Sequence, residues 1–266
     1  MKIAALHVLF LILFLTSARA DESRPPALQG VGIEQRLNEQ LPLDLSFRDE
    51  DGKNVKLGDY FVEKPVILAP VYYECPMLCT LTLNGLVRAM RGMSLNDGKD
   101  YTVVTVSINP RETPALAAAK KKEYLAHYAR AGGDVGWHFL TGNQSSIQQL
   151  TRAVGFHYNY DAASGQYAHA AGLIVLTPHG TIARYFYGVE YSPRDMRLAL
   201  VEASANKVGS PVDAILLFCF HYDPLTGKYG LVIARVLQLA GAGTVLALGT
   251  FMGVMLRRER LQRARA

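Results

Sequence analysis

The sequence predicts an α/β domain, a mixed sheet flanked by helices, followed by one C-terminal transmembrane helix. Three observations predict it. Runs rich in β-branched and aromatic residues alternate with segments of helical period between residues 38 and 207. The last two strand-like runs are joined by the tight turn Pro178-His179-Gly180, so they are antiparallel neighbours in the sheet. Residues 236–256 form a 21-residue stretch with Gln238 as its only strongly polar side chain, which at helical rise spans about 31 Å, one crossing of a hydrocarbon core.

The chain divides at those features. Residues 1–20 carry Lys2, an apolar run from Ala4 to Leu15 and the small-residue stop Ala18-Arg19-Ala20, the pattern of a secretory signal peptide. Residues 21–37, with Pro25, Pro26 and Gly30, read as a linker, 38–207 as the domain, and 208–230 as a membrane-proximal segment. The transmembrane helix is placed within 231–256 and the basic tail at 257–266. Five arginines in that tail put the C-terminus on the cytoplasmic side of a cell membrane and the domain on the extracytoplasmic, periplasmic side. The formal charge of +5 is therefore misleading: removing Lys2, Arg19 and the tail's five arginines and one glutamate leaves −1. The basicity reflects topology, and no nucleic-acid partner is expected.

Within the domain, Leu45 and Phe47 alternate with polar residues, Asp51-Gly52 turns the chain, and Val55 and Leu57 resume, a short hairpin. KPVILAPVYYECP has the density of a central strand and ends at Cys75-Pro76. Residues 77–93 follow as a helix with apolar Leu78, Leu81, Leu86 and Met90, and Pro76 suits its first turn. A second strand spans 101–108, Asn109-Pro110 breaks it, and Thr113-Pro114 opens a helix to about Tyr128. HFLTGNQSSIQQLTRAV reads as strand, turn and helix, 172–176 and 181–187 as strands, and Ser192-Pro193 starts a last helix to about Asn206.

The chemistry concentrates in Cys75 and Cys79, in E-C-P-M-L-C-T where a strand turns into a helix. Thiols there meet the positive end of the helix dipole, which favours thiolates, the form that attacks disulfides and binds soft metals. Residues i and i+4 of a regular helix hold their Cβ atoms about 5–6 Å apart, wider than the roughly 3.5–4.5 Å of a disulfide. An irregular first turn closes a disulfide; a metal fits the wider spacing, and two thiolates favour Cu(I) or zinc, with an imidazole completing a trigonal site. Spacing alone leaves a structural disulfide, a redox pair and a metal site open.

Strand–C-P-x-x-C–helix, preceded by the Asp51-Gly52 hairpin, resembles the SCO/SenC family of copper-binding, thioredoxin-like proteins. Y-A-H-A-A-G-L-I-V-L-T-P-H-G-T-I-A-R-Y-F-Y-G resembles that family's histidine segment, and H-F-L-T-G-N-Q-S-S-I its Leu-Thr-Gly loop and helix. The resemblance covers residues 38–205 and implies a thioredoxin-like fold, with Cys75, Cys79 and His169 as copper ligands. It also implies delivery of copper to the CuA centre in subunit II of cytochrome c oxidase. Thioredoxin-like reductases carry a cis-proline near the position of His169; this chain has no proline between Pro114 and Pro178, and an imidazole there suits a metal better than disulfide exchange. The chain departs from the family's Asp-Pro-x-x-Asp pattern, with Asn109-Pro110-Arg111-Glu112-Thr113 instead, and its anchor is C-terminal where the family's is commonly N-terminal.

A second reading keeps Cys75 and Cys79 as a redox-active pair, a thiol–disulfide oxidoreductase that reduces the oxidase's copper-site cysteines, with Cys75 attacking. No Thr-x-x-Cys arrangement precedes Cys75, which argues against a peroxidase. Beyond the domain, Cys219 and His221 lie two apart and would point to the same side of an extended segment, a minor candidate for holding or relaying a soft metal.

Overall fold

The computed structural model describes residues 28–75, 78–130, 133–208, 222–223, 228–229 and 231–263. Strands β1 (Gly32–Ile33), β2 (Ser46–Arg48) and β3 (Asn54–Lys56) precede β4 (Val66–Val71), helix α1 (Leu78–Gly92) and β5 (Thr102–Ser107). Helix α2 (Pro114–Tyr128), the single turn α3 (Gly133–Gly136), β6 (Trp137–Leu140) and α4 (Gln144–Ala153) follow. Then come β7 (Phe156–Asp161), β8 (Gln166–His169), β9 (Gly172–Leu176), β10 (Ile182–Tyr187) and α5 (Pro193–Ser204). The short strands β11 (Tyr222–Asp223) and β12 (Lys228–Tyr229) pair antiparallel ahead of α6 (Leu231–Arg263).

The central sheet has the order β10-β9-β4-β5-β6. β4, β5 and β6 run parallel, while β9 is antiparallel to β4 and β10 to β9, the mixed sheet the turn at Pro178-His179-Gly180 predicts. All six residues of β4 and all six of β5 are buried, which explains the apolar run of β4 and the β-branched character of β5, whose Thr102, Thr105 and Ser107 are buried as well: a strand covered on both faces has no solvent face to show. Helix α1 packs against α2 and α5, α2 against β6, and α5 against β9 and β10. Thr113, Asn143 and Ser192 cap α2, α4 and α5 with side-chain oxygens that accept the N–H of Leu116, Ser146 and Asp195.

Proline in a central strand is unusual, and Pro70 of β4 has a local reason. Thr102 and Ile108 of the β5 side donate to the carbonyls of Pro65 and Val71, so odd-numbered residues of β4 face β5 and Pro70 faces β9. Pairing with β9 stops at Leu68, and the missing N–H breaks no ladder there. The sheet parts between β4 and β9 at this point.

One sequence expectation is corrected. Residues 32–33 are not linker: they pair with Phe156 and His157 of β7, Ile33 is buried, and Glu34 N–H donates to the Gly155 carbonyl. Burying Ile33 needs that neighbour, which a linker lacks. Between α4 and β9, where the sequence reading assigns no element, β7 and β8 form an antiparallel hairpin and, with β1, a second sheet in the order β1-β7-β8. Its turn closes with Gly165 N–H on the Asp161 carbonyl at 2.8 Å, Gly165 taking φ +71°.

Helix α6 is continuous over 33 residues and includes a 19-residue window, Ala240–Arg258, long and apolar enough to cross a membrane. The signal peptide and Pro76 lie outside the described residues, as do Cys219 and His221.

Candidate metal centre

The end of β4, the start of α1 and the end of β8 meet where the sheet parts. β4 delivers Tyr72, Tyr73, Glu74 and Cys75 into a turn closed by Cys75 N–H on the Tyr72 carbonyl. Cys79 lies in the first turn of α1 and is buried, whereas Cys75 is half-buried. His169 ends β8, is 9% exposed, and packs its ring against Tyr72 and Phe156 at centroid separations of 5.7 and 6.1 Å. The two sulfurs and a His169 ring nitrogen lie within 4.8 Å of one another, and among the described residues theirs is the one His, Cys, Asp and Glu group so placed.

Hydrogen bonds orient the three side chains. His169 Nδ1 is 2.8 Å from the Ala170 carbonyl oxygen; a carbonyl only accepts, so Nδ1 carries the proton and Nε2 presents a lone pair. Nε2 faces Cys79 Sγ at 3.0 Å, where the Cys79 S–H donates to it. Main-chain N–H groups also reach the sulfurs, Tyr72 donating to Cys79 Sγ at 3.4 Å and Cys79 to Cys75 Sγ at 3.3 Å. Burial above all, and then the neighbouring Cys75 sulfur, push the Cys79 thiol far up. Alone, then, Cys79 is a protonated thiol, and a metal that binds there displaces its proton.

Beneath the turn sits Glu112, which sequence reading did not single out for the site. Its buried carboxylate accepts from Tyr73 N–H at 2.8 Å, Glu74 N–H at 2.9 Å and Ser107 Oγ–H at 2.5 Å. Tyr73 adds its hydroxyl, donating to the Leu140 and Thr105 carbonyls at 2.7 and 3.2 Å. The turn bearing Cys75 is thus tied to β5 and β6. A buried acid next to a strand-ending Asn-Pro is visible in sequence, but its partners, main-chain groups 38 and 39 residues away, are not.

The donor set suits a soft or borderline ion. Metal–sulfur and metal–nitrogen bonds of about 2.3 and 2.0 Å around a trigonal ion separate the ligand atoms by roughly 4 Å, within the reach this group has. Two thiolates and an imidazole whose other nitrogen is fixed by a carbonyl match Cu(I) or zinc. Cys75, Cys79 and His169 are the residues the sequence proposes, and the fold brings all three together.

A family model described as SCO1/SenC matches residues 34–204. No curated protein matches the chain. Among solved structures, one described as an electron transfer protein of Aquifex aeolicus VF5 is 25% identical, with a TM-score of 0.57, over 65% of this chain and 96% of that one. ScoI of Arabidopsis thaliana, solved with copper bound, is 20% identical with a TM-score of 0.51, over 64% and 99%. BsSco, described as a member of the Sco family of cytochrome c oxidase assembly proteins with a disulfide switch, is 20% identical with a TM-score of 0.50, over 65% and 99%. The last two likenesses show the fold.

Proposed function

The chain belongs to the SCO1/SenC family, and on that premise we propose that it is a membrane-anchored copper metallochaperone. Copper is its cargo, held by Cys75, Cys79 and His169 and passed on for assembly of the CuA centre in subunit II of cytochrome c oxidase. The observation that carries this reading is the convergence of two sulfurs and one correctly protonated imidazole within 4.8 Å. Three ligands suit a carrier: an ion held by three side chains has room for an incoming thiolate, so the chain's ligands leave one at a time as the partner's arrive. Helix α6 would hold the domain at the extracytoplasmic face of the cell membrane in which the oxidase sits, raising its effective concentration there. Copper titration tests the reading. One Cu(I) per chain, lost with Cys75→Ser or Cys79→Ser and sharply weakened with His169→Ala, supports it; weak binding indifferent to all three refutes it.

The asymmetry of the two thiols favours a second reading, the thiol–disulfide oxidoreductase. Cys75 is half-buried and accepts the Cys79 N–H, while Cys79 is buried and protonated, the division of labour between an attacking and a resolving thiol. That activity needs Cys75 and Cys79 but not His169, which separates the two.

A further inference from the structure

Helices α1 and α5 pack against each other, and a Cβ on Gly92, at the end of α1, would lie 2.7 Å from Pro193 Cγ, at the start of α5. Their outward sides therefore adjoin. Along α5, Met196, Ala199, Leu200 and Ala203 are buried. The opposite side shows Arg194, Leu198, Val201 and Ala205, spaced i, i+4, i+7 and i+11. Leu198 and Val201 are 48% and 45% exposed. Arg197 flanks that ridge, and Arg91 of α1 stands next to the Gly92–Pro193 contact. Single exposed apolar side chains are ordinary; an apolar pair on one ridge, bordered by arginines, makes an amphipathic face. The acids beside it are few. Glu190 is paired with Arg88, and Glu202 with Arg184 at 3.9 Å. Asp195 then stands against Arg91, Arg194, Arg197 and Lys207, none of which joins an ion pair among the described residues. Without residues 1–20 and 257–266 the chain carries −1, so this positive face is a local asymmetry.

Helix α5 is also the last helix before α6, and 23 residues, 208–230, separate Lys207 from Leu231. A tether of that length reaches at most about 80 Å, which keeps the domain beside the bilayer without orienting it. Orientation is left to the surface. We infer that the outward face of α5, with Arg91 of α1, is a docking surface for the anionic headgroup layer of the membrane that α6 spans. Leu198 and Val201 enter the interface, and Arg194 and Arg197 meet lipid phosphates. The inference rests on the membrane-anchored reading proposed above. Lipid is the occupant because the tether holds this face near a surface whose charge complements the unpaired arginines. Cys79 lies in the first turn of α1, so seating this helix layer also fixes the height of the metal centre above the bilayer.

The test places the full chain in lipid nanodiscs of phosphatidylcholine with brominated acyl chains, with and without phosphatidylglycerol. Bromine quenches a tryptophan that enters the interface. Val201→Trp is the reporter, at a site open enough to take the larger ring, and the native Trp137 is fully buried. Val135→Trp is the control: Val135 is 68% exposed and precedes β6, the sheet edge opposite β10, against which α5 packs. In discs with phosphatidylglycerol, the tryptophan introduced by Val201→Trp should be quenched and that of Val135→Trp should not. Adding Arg194→Gln and Arg197→Gln should lower docking about 25-fold, roughly fivefold for each arginine, and abolish the quenching, as should discs of phosphatidylcholine alone. Equal quenching in Val201→Trp and Val135→Trp, or quenching indifferent to the arginines or to phosphatidylglycerol, overturns the inference. A chain that separates from the discs on gel filtration refutes the anchored reading itself. A chain that stays with the discs while Val201→Trp remains unquenched refutes this inference alone and leaves the face to a protein partner.

Discussion

Cys75 and Cys79 follow the end of a strand buried on both faces, whereas His169 ends a hairpin whose two strands, β7 and β8, are mostly half-exposed. The cysteine side is fixed by the parallel core and by Glu112 and Tyr73, which tie its turn to β5 and β6. The histidine side depends on β1 and on the rings of Tyr72 and Phe156. A site split in this way joins a strand buried on both faces to a hairpin more open to solvent, the kind of element expected to open locally first. Under the proposed function, two thiols on the buried side and one imidazole on the more open side would suit a centre that passes its metal on.

That contrast can be broken from either side, and the largest effect is expected at Gly155. It has φ +63°, and a Cβ there would lie 2.0 Å from the Glu34 carbonyl oxygen. Gly155→Val should cost about 4 kcal/mol through strain and overlap. Hydrogen exchange should show the loss concentrated in β1, β7 and β8, with β4 and β5 still protected; uniform loss would mean that the two parts unfold as one.

Acid should act on the scaffold instead. Glu50 is 11% exposed and lies against Lys121 and His138 while accepting Phe139 N–H at 3.0 Å. Burial alone would raise its pKa, but these partners bring it from 4.5 to about 2. A carboxylate depressed in the folded state contributes stability that is fully present above 4.5 and lost as pH falls toward 2, here about 3 kcal/mol. Glu50→Gln should flatten the acid limb of a denaturation profile over that interval. Next in size is Glu112→Gln, which sets an amide N–H₂ against a main-chain donor and should cost about 2 kcal/mol. It should also speed alkylation of Cys75 by loosening its turn; an unchanged rate would show that the turn does not depend on Glu112. Smallest is Glu34→Gln on the hairpin side. A hydrogen bond from His157 lowers the Glu34 carboxyl most, against partial burial, but Glu34 is half-exposed, and thermal unfolding should show less than about 0.5 kcal/mol.

The same division governs what sequence could reveal. β4, β5 and α1 announce themselves because burial on both faces gives β4 an apolar run and β5 a β-branched one, because α1 keeps a helical apolar period, and because the strand-to-helix break at Cys75 marks its own chemistry. The β7–β8 hairpin hides because its strands mix Tyr, His, Asn and Gln at half-exposed positions. The signal that would have found it is the aromatic alternation Phe156, Tyr158, Tyr160 before the Ser164-Gly165 turn. His169 stands out only through family resemblance, since nothing in its immediate neighbours distinguishes it from six other histidines. The role of Glu112 is tertiary and has no local pattern.

The central claim is that the imidazole on the more open side completes a three-ligand copper site. Its most direct test is competitive Cu(I) titration of the full chain in detergent, wild type against His169→Ala, with Cys219→Ser in both. One Cu(I) per chain and an affinity at least about 100-fold lower without the imidazole is the result the structure predicts. Equal affinity in the two proteins, with Cys75 and Cys79 still cycling against a dithiol, would contradict it and leave the oxidoreductase in its place.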